Sequence, residues 1–158
     1  FENCGGGFLA SSIHSKTVRV NQQTARDFLQ DKDGWAVLIP GYLNHEIISE
    51  KEMIWVFKGD FGFIQKAVKL QLNVQEVIEQ NKISFELVGL SDNINGSGYF
   101  EMKIISAEDV EIVGNLDMKA GGFLASMINP VLETFVPQTI EQLVEAIADT
   151  LATQNISS

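Results

Sequence analysis

The sequence predicts one α+β domain, in which a curved antiparallel sheet of about six or seven strands wraps on a long C-terminal helix. Between residues 42 and 119, apolar and polar residues alternate with a period of two, which indicates strands with one buried face. After residue 119, apolar residues recur every three or four positions, which indicates a helix with one apolar side. The length of 158 residues suits a single domain with a sizeable core.

The first forty residues predict one strand followed by two short helices. Residues 12–20 are rich in β-branched residues and predict the first strand. Asn21 is a typical N-cap residue for the helix that follows it. Residues 31–34 are expected to break that helix, and residues 35–39 form a second short helical or irregular stretch. The buried side of the first helix is predicted to carry Ala25, Phe28 and Leu29.

The alternating region predicts a set of strands joined by hairpins. The connectors are expected at residues 80–81, 93–98 and 107–109, which are short and polar. The apolar side chains predicted to face the core are Met53, Trp55, Phe57, Val68, Leu70, Leu72, Val74, Ile83, Phe85, Leu87, Phe100, Met102, Ile104, Val110, Ile112, Leu116 and Met118.

The C-terminal helix is predicted over about residues 121–154, which would be roughly 50 Å long at 1.5 Å per residue. Pro130 and Pro137 each lack an amide donor, so kinks or a short first segment are expected there. The apolar stripe needs a partner, and the concave face of the sheet is the available one. The stripe consists of Leu124, Ile128, Leu132, Val136, Ile140, Leu143, Val144, Ile147 and Leu151.

Composition excludes several classes of function. The formal net charge of −10 argues against nucleic-acid binding and weakens docking onto an anionic membrane. Cys4 is the single cysteine, so there is no intramolecular disulfide or multi-cysteine metal site, and a reducing, cytoplasmic location is expected. No apolar run approaches 18 residues, so no transmembrane helix is predicted. Residues 1–7 are interpreted as a flexible or non-native lead-in, residues 8–154 as the domain, and residues 155–158 as a tail.

The polar residues predict no catalytic centre, cofactor or metal site. His14 and His45 lack a second ligand at a spacing that a metal requires. The charged residues 50–52 lie in a predicted hairpin turn, where water solvates them. Residues 121–122 resemble a phosphate loop only in their glycines, and a turn that leads into the helix is the better interpretation. No serine lies in a nucleophile-elbow pattern.

The order of these elements resembles the helix-grip fold of the SRPBCC superfamily, which includes START lipid-transfer domains, the birch pollen allergen and polyketide cyclases. Within it, the sequence over about residues 8–154 is most similar to the G-subunit family of carbon monoxide dehydrogenase. The segments that carry the resemblance are Phe28-Leu29-Gln30-Asp31, Ile39-Pro40-Gly41, Gly96-Ser97-Gly98-Tyr99-Phe100 and Ala120-Gly121-Gly122-Phe123-Leu124-Ala125.

The resemblance implies an apolar cavity between the sheet and the C-terminal helix. Members of the superfamily use it for lipids, polyketides, hormones or quinone-like molecules, and some proteins of the G-subunit family carry a hydrophobic C-terminal extension. Residues 153–155 are polar here, so no stable membrane insertion is expected. A cavity of a few hundred Å³ is predicted, with Met127 and Val131 as its lid. The residues predicted to line it are Trp55, Phe57, Phe85, Leu87, Phe100, Met102, Met127, Val131 and Phe135.

Three functions remain open. The first is a carrier or sensor of a small apolar molecule. The second is a polyketide cyclase or dehydratase-type enzyme, which requires buried polar groups such as His14, His45, Tyr99 or Glu101; the alternation places the last two on the outer face. The third is an accessory or assembly protein of a molybdenum hydroxylase-type redox enzyme, which requires an exposed apolar patch. A homodimer and a redox-enzyme partner both stay open.

Overall fold

The computed structural model describes residues 10–60, 65–77, 81–90 and 93–157, so the predicted lead-in, Cys4 and Gln80 lie outside the described residues. These ranges form seven strands and three helices. The elements are β1 (Ala10–Arg19), α1 (Gln22–Gln30), α2 (Lys32–Ala36), β2 (Tyr42–Ile47), β3 (Glu52–Asp60), β4 (Gln65–Val77), β5 (Lys82–Gly89), β6 (Ile94–Ile104), β7 (Asp109–Ala120) and α3 (Ala125–Ser157).

The strands form one antiparallel sheet in the order β1-β7-β6-β5-β4-β3-β2. Strands β2 to β7 follow one another as a meander, and β1 pairs with β7. Because β1 and β2 lie at opposite edges, α1 and α2 connect one edge of the sheet to the other. With α3 against the sheet, this is the predicted helix-grip fold.

The alternation predicts the buried face of the sheet correctly at all but one position. Every core side chain predicted from the strands is buried except Ile104, which lies at the end of β6 and is exposed. Asn21 caps α1 as predicted, since its side chain accepts a hydrogen bond from the Thr24 N–H at 2.8 Å. The buried faces of the strands and of the helices together form one core.

Helix α3 packs mainly on β1 and β7 and buries its stripe from Leu132 to Leu151. The first stripe residue, Leu124, is exposed, because it precedes the helix. The expected short first segment is not found, since the helix continues through Pro130 and Pro137. It also extends to Ser157, into the segment predicted as a tail.

Two connections differ from the prediction. Helix α2 begins at Lys32, inside the predicted break, because a single extended residue, Asp31, ends α1 and precedes α2. Residues 94–98, predicted as part of a connector, lie in β6. Gly98 suggested a turn, but a Cβ there would lie 2.7 Å from the Phe85 ring, so the glycine serves close packing within the sheet.

Candidate functional site

The inner face of the sheet carries a cluster of aromatic rings. Trp35 from α2 contacts Trp55 and Phe100, with ring centroids 5.5 and 5.2 Å apart, both edge to face. The indole N–H of Trp55 donates to the Ala36 carbonyl at 2.8 Å, and that of Trp35 donates to the Leu29 carbonyl at 3.0 Å. Because both indole N–H groups are satisfied by backbone, the rings present apolar surface to their surroundings.

A cavity of about 20 Å³ lies between this aromatic cluster and α3. That volume holds about one water molecule, so the few hundred Å³ expected from the sequence are not present as open space. The side chains of the cluster and of the helix fill the remainder. The residues lining the cavity are Ile39, Trp55, Phe57, Leu70, Phe85, Leu87, Phe100, Leu116, Met118, Phe135, Thr139, Ile140 and Leu143.

Phe135 forms the outer boundary of the cavity. It is half-buried, whereas every other lining residue is buried. Its ring stacks on Phe57 with centroids 6.1 Å apart and planes inclined by 10°. These two rings therefore contact each other at the wall of the cavity.

The structure brings together six of the nine predicted pocket residues: Trp55, Phe57, Phe85, Leu87, Phe100 and Phe135. The other three lie elsewhere. Met102 is buried near Leu29 of α1, Met127 is exposed, and Val131 is half-buried on α3 without lining the cavity.

Sequence reasoning missed Thr139 as a lining residue. It lies three residues after Val136 and four before Leu143, so its position continues the apolar stripe. The helical spacing was the available signal, but a polar residue type does not appear in a search for apolar periodicity. The other lining residues that were not predicted to line the pocket lie on the inner face of the sheet, in the apolar stripe of α3 and in the turn after α2.

The two buried polar side chains of the described residues differ in how they are satisfied. Asn129 accepts a hydrogen bond from the Ala120 N–H at 2.8 Å and donates to the Ala120 carbonyl at 3.0 Å. This pair fastens the start of α3 to the end of β7. Thr139 is equally buried, at 5% exposure, and its hydroxyl has no hydrogen-bond partner among the described residues.

The titratable residues considered for catalysis lie outside the cavity. His14 Nε2 on β1 donates to Glu145 Oε2 on α3 at 2.9 Å. This hydrogen bond holds the pKa of the Glu145 carboxyl below its usual value; partial burial opposes the shift, and the Lys16 ammonium adds to it. Tyr99 and Glu101 are half-buried on the outer face of the sheet, as predicted.

His45 belongs to a chain of hydrogen bonds at the edge of the sheet. Its Nδ1 lies 2.7 Å from the Tyr42 hydroxyl, and its Nε2 lies 2.6 Å from Asp33 Oδ1. The Tyr42 hydroxyl donates and the Asp33 carboxylate accepts, so the chain joins β2 to α2. In the described part of the chain, no three His, Cys, Asp or Glu side chains are placed to hold a metal.

A wider groove of about 1190 Å³ lies on the opposite, solvent-facing side of the sheet. It is open to solvent, and most of its lining residues are polar, including Asn73, Glu86, Tyr99 and Asp117. An apolar ligand there would remain largely in contact with water. The groove is therefore a poorer candidate site than the small apolar cavity beneath the sheet.

An exposed apolar patch precedes and begins α3. We name it the α3-start patch, and it consists of Phe123, Leu124 and Met127, with exposures of 94%, 52% and 51%. Gly122 turns the chain into this segment with a φ of +74°, a conformation that glycine adopts without strain. The predicted turn into the helix is confirmed. None of the helices in the described ranges combines the length and the apolar character that a membrane span requires.

The sequence profile of the family described as the G subunit of carbon monoxide dehydrogenase (CoxG) matches residues 15–152. This chain belongs to that family. No curated protein sequence matches it. The match covers β2 to β7 entirely, half of β1 and most of α3, so the family assignment includes the whole cavity.

Solved structures show the same fold at low sequence identity. The Zhui aromatase/cyclase from Streptomyces sp. R1128 has a TM-score of 0.74 at 14% identity, with 94% of this chain and 96% of that chain covered. A START superfamily protein from Mycobacterium smegmatis has a TM-score of 0.74 at 13% identity, over 91% and 98% of the two chains. A norcoclaurine synthase point mutant from Thalictrum flavum has a TM-score of 0.69 at 12% identity, over 94% and 98%. The CoxG-family chain therefore has a START-like fold.

Proposed function

We propose that this protein binds a small hydrophobic molecule between the sheet and α3, as a carrier or sensor. The observation that carries the proposal is the cavity lined by buried apolar side chains, with Thr139 as its one polar lining residue. Sites for small molecules are concave, mostly apolar and provided with few polar groups. The START-like fold supports a ligand-binding role, because the norcoclaurine synthase of similar fold was solved in complex with a transition-state analogue.

Binding requires the cavity to widen, because its present volume fits about one water molecule. Phe135 is the lining residue best placed to move, since it is half-buried and belongs to the helix rather than to the sheet. Pro130 and Pro137 lie on either side of it, and each removes one backbone hydrogen bond from α3. We propose that this part of α3 swings or bends away to admit the ligand.

Ligand binding should be detectable without knowledge of the natural ligand. Native mass spectrometry of protein purified without detergent would reveal a co-purified molecule. Titration with lipids, quinones and polyketide-like aromatics would follow tryptophan fluorescence, because Trp55 lines the cavity and Trp35 contacts Trp55. The absence of any co-purified or titratable apolar ligand across these classes would overturn the proposal.

A second function is favoured by the α3-start patch. Exposed apolar side chains on adjacent positions are typical of protein contacts, and the family is that of a redox-enzyme subunit. An accessory role beside a molybdenum hydroxylase-type enzyme would require this surface. In that case Phe123→Ser should abolish co-purification with such an enzyme while the ligand affinity stays unchanged. An equal loss of both would indicate misfolding.

The cyclase alternative has less support. The aromatase/cyclase and the norcoclaurine synthase share the fold with this chain at only 14% and 12% identity. An enzyme of this type needs acid–base groups inside its cavity. Here the histidines are engaged outside it, and no acidic or basic side chain of the described residues lines the cavity.

A further inference from the structure

The outer groove, on the solvent-facing side of the sheet, contains a continuous row of polar side chains, one from each of five adjacent strands. Each member lies directly opposite the next in the register of the sheet. Because opposite residues of an antiparallel pair share a face, four strand spacings of about 4.8 Å make this row about 19 Å long. We name it the polar row, and from β7 to β3 it consists of Asp117, Ser97, Glu86, Asn73 and Glu52.

A second set of groove side chains runs beside the polar row, two residues away on each strand. It is also in register, from β7 to β4. Together the two sets offer carboxylates, which only accept hydrogen bonds, and amides and hydroxyls, which both donate and accept. The second set consists of Asn115, Tyr99, Ser84 and Gln75.

The fold leaves the centre of the polar row unused. Ser97, Glu86 and Asn73 make no side-chain hydrogen bond and no ion pair in the part of the chain that the structure describes. Oppositely charged pairs across strands stabilise a sheet, but the residues opposite Glu86 are Ser97 and Asn73, which are neutral. The polar groups of this row therefore remain available to a ligand.

The residue types of the groove also depart from what strands favour. Asn and Asp are depleted in strands, yet Asn73, Asn115 and Asp117 lie inside β4 and β7, which have neighbours on both sides. Departures of this kind are expected at functional sites. Asp117 is also held in one orientation, because its Oδ1 accepts from the Ser11 hydroxyl and from Asn115 Nδ2.

We propose that the outer groove binds a short, neutral oligosaccharide. A sugar hydroxyl donates to carboxylates and both donates to and accepts from amides, so it matches every polar group of the two sets. Carboxylates outnumber lysines in the lining, so the groove disfavours an anion such as a phosphate ester. The volume of about 1190 Å³ exceeds that of a site for one small molecule. The half-buried Tyr99 ring adds an apolar surface for the C–H groups of a sugar.

The proposal is tested by isothermal titration calorimetry with cellotetraose, maltotetraose and chitotetraose, and with spermidine as a cationic probe. Glu86→Ala removes the central acceptor of the polar row, and Ser97→Tyr adds bulk beside it. Glu46→Ala is the matched control, since Glu46 is an exposed glutamate of β2 that does not line the groove. The melting temperature of each variant verifies that it is folded.

At least one of the three sugars should bind wild type with a dissociation constant below about 1 mM. Glu86→Ala should weaken this binding roughly tenfold or more, the scale of a hydrogen bond to a charged group, and Ser97→Tyr should abolish it. Glu46→Ala should bind as wild type does.

Three results would overturn the proposal: no binding of any sugar, equal weakening by Glu86→Ala and Glu46→Ala, or a response to spermidine alone. The last would mean that the carboxylates attract charge without recognising hydroxyl groups. Because the outer groove and the inner cavity lie on opposite faces of the sheet, each of these results leaves the proposed binding of an apolar molecule unaffected.

Discussion

Glu145 shows how a single side chain couples the edge of the sheet to the long helix. Its carboxylate accepts from His14 on β1 and lies 3.6 Å from the Lys16 ammonium. These contacts lower the Glu145 pKa in the folded state. The ionised form is therefore favoured by folding, so the stabilisation is present above the ordinary pKa and disappears as pH falls through the lowered value.

Glu145→Gln should accordingly lower the melting temperature at pH 7 by about 1–3 °C, the scale of a partly exposed ion pair. The difference from wild type should shrink as the pH falls below the ordinary carboxyl pKa, and should vanish in stronger acid. Glu141→Gln is the control, because Glu141 is exposed on the same helix. A difference that is independent of pH would contradict the role assigned to the charge.

At the scale of elements, α3 approaches the sheet closely at Gly114 of β7. A Cβ at this position would lie 2.5 Å from Val144 Cγ2 and 3.0 Å from Ile140 Cδ1. The absence of a side chain at Gly114 therefore allows Val144 and Ile140 of the helix to lie this close to the strand.

Gly114→Ala should destabilise the fold by about 1–3 kcal/mol, as overpacking does in a dense core. Val144→Ala removes the methyl group that the new Cβ would meet. The double variant should thus be more stable than the sum of the two single effects predicts, when free energies of unfolding are measured with denaturant. Strict additivity would show that the two positions do not meet.

The prolines of α3 are expected to act on exchange rather than on folding. Pro137→Ala restores an amide donor to the helix close to Phe135, so bending becomes harder and release of an apolar ligand identified by titration should slow several-fold in stopped-flow fluorescence. The free energy of unfolding should change by only about 1 kcal/mol, the net worth of one hydrogen bond. Pro40→Ala, in the turn before β2, is the control outside the helix. Unchanged release would assign α3 a purely structural role.

For the whole molecule, local patterns were enough to predict the sheet, the helix and which faces are buried. Leu70 and Val136 each lie at the period of their own element, and both are buried. The adjacency of β1 and β7 depends on residues about a hundred positions apart, so periodicity could not predict it. Short glycine-containing segments were the main error, because glycine permits both a turn and close packing of strands.

The candidate site was predictable as a set of aromatic residues, but its shape was not. Phe57 and Phe135 stack across the cavity although 78 positions separate them in the sequence. The contact between the two rings fills space that the sequence prediction assigned to a ligand. Thr139 was likewise not predicted as a lining residue, because a search for apolar periodicity does not select a polar residue type. Contacts between different elements therefore determine the shape of the cavity, which the periodicity of the sequence does not predict.

The inner cavity and the outer groove formed by the described residues are alternative ligand sites, and a pair of variants distinguishes them. At one hundred times its dissociation constant, an apolar ligand identified by titration should stabilise the folded chain by about 2.7 kcal/mol, which raises the melting temperature by roughly 5–10 °C. Leu116→Phe adds bulk to the wall of the inner cavity and should abolish most of this rise. Tyr99→Ala alters only the outer groove, where the Lys82 ammonium lies 4.2 Å from the ring centroid, and should preserve it. The reverse pattern would place the ligand on the outer face and exclude α3 from its binding.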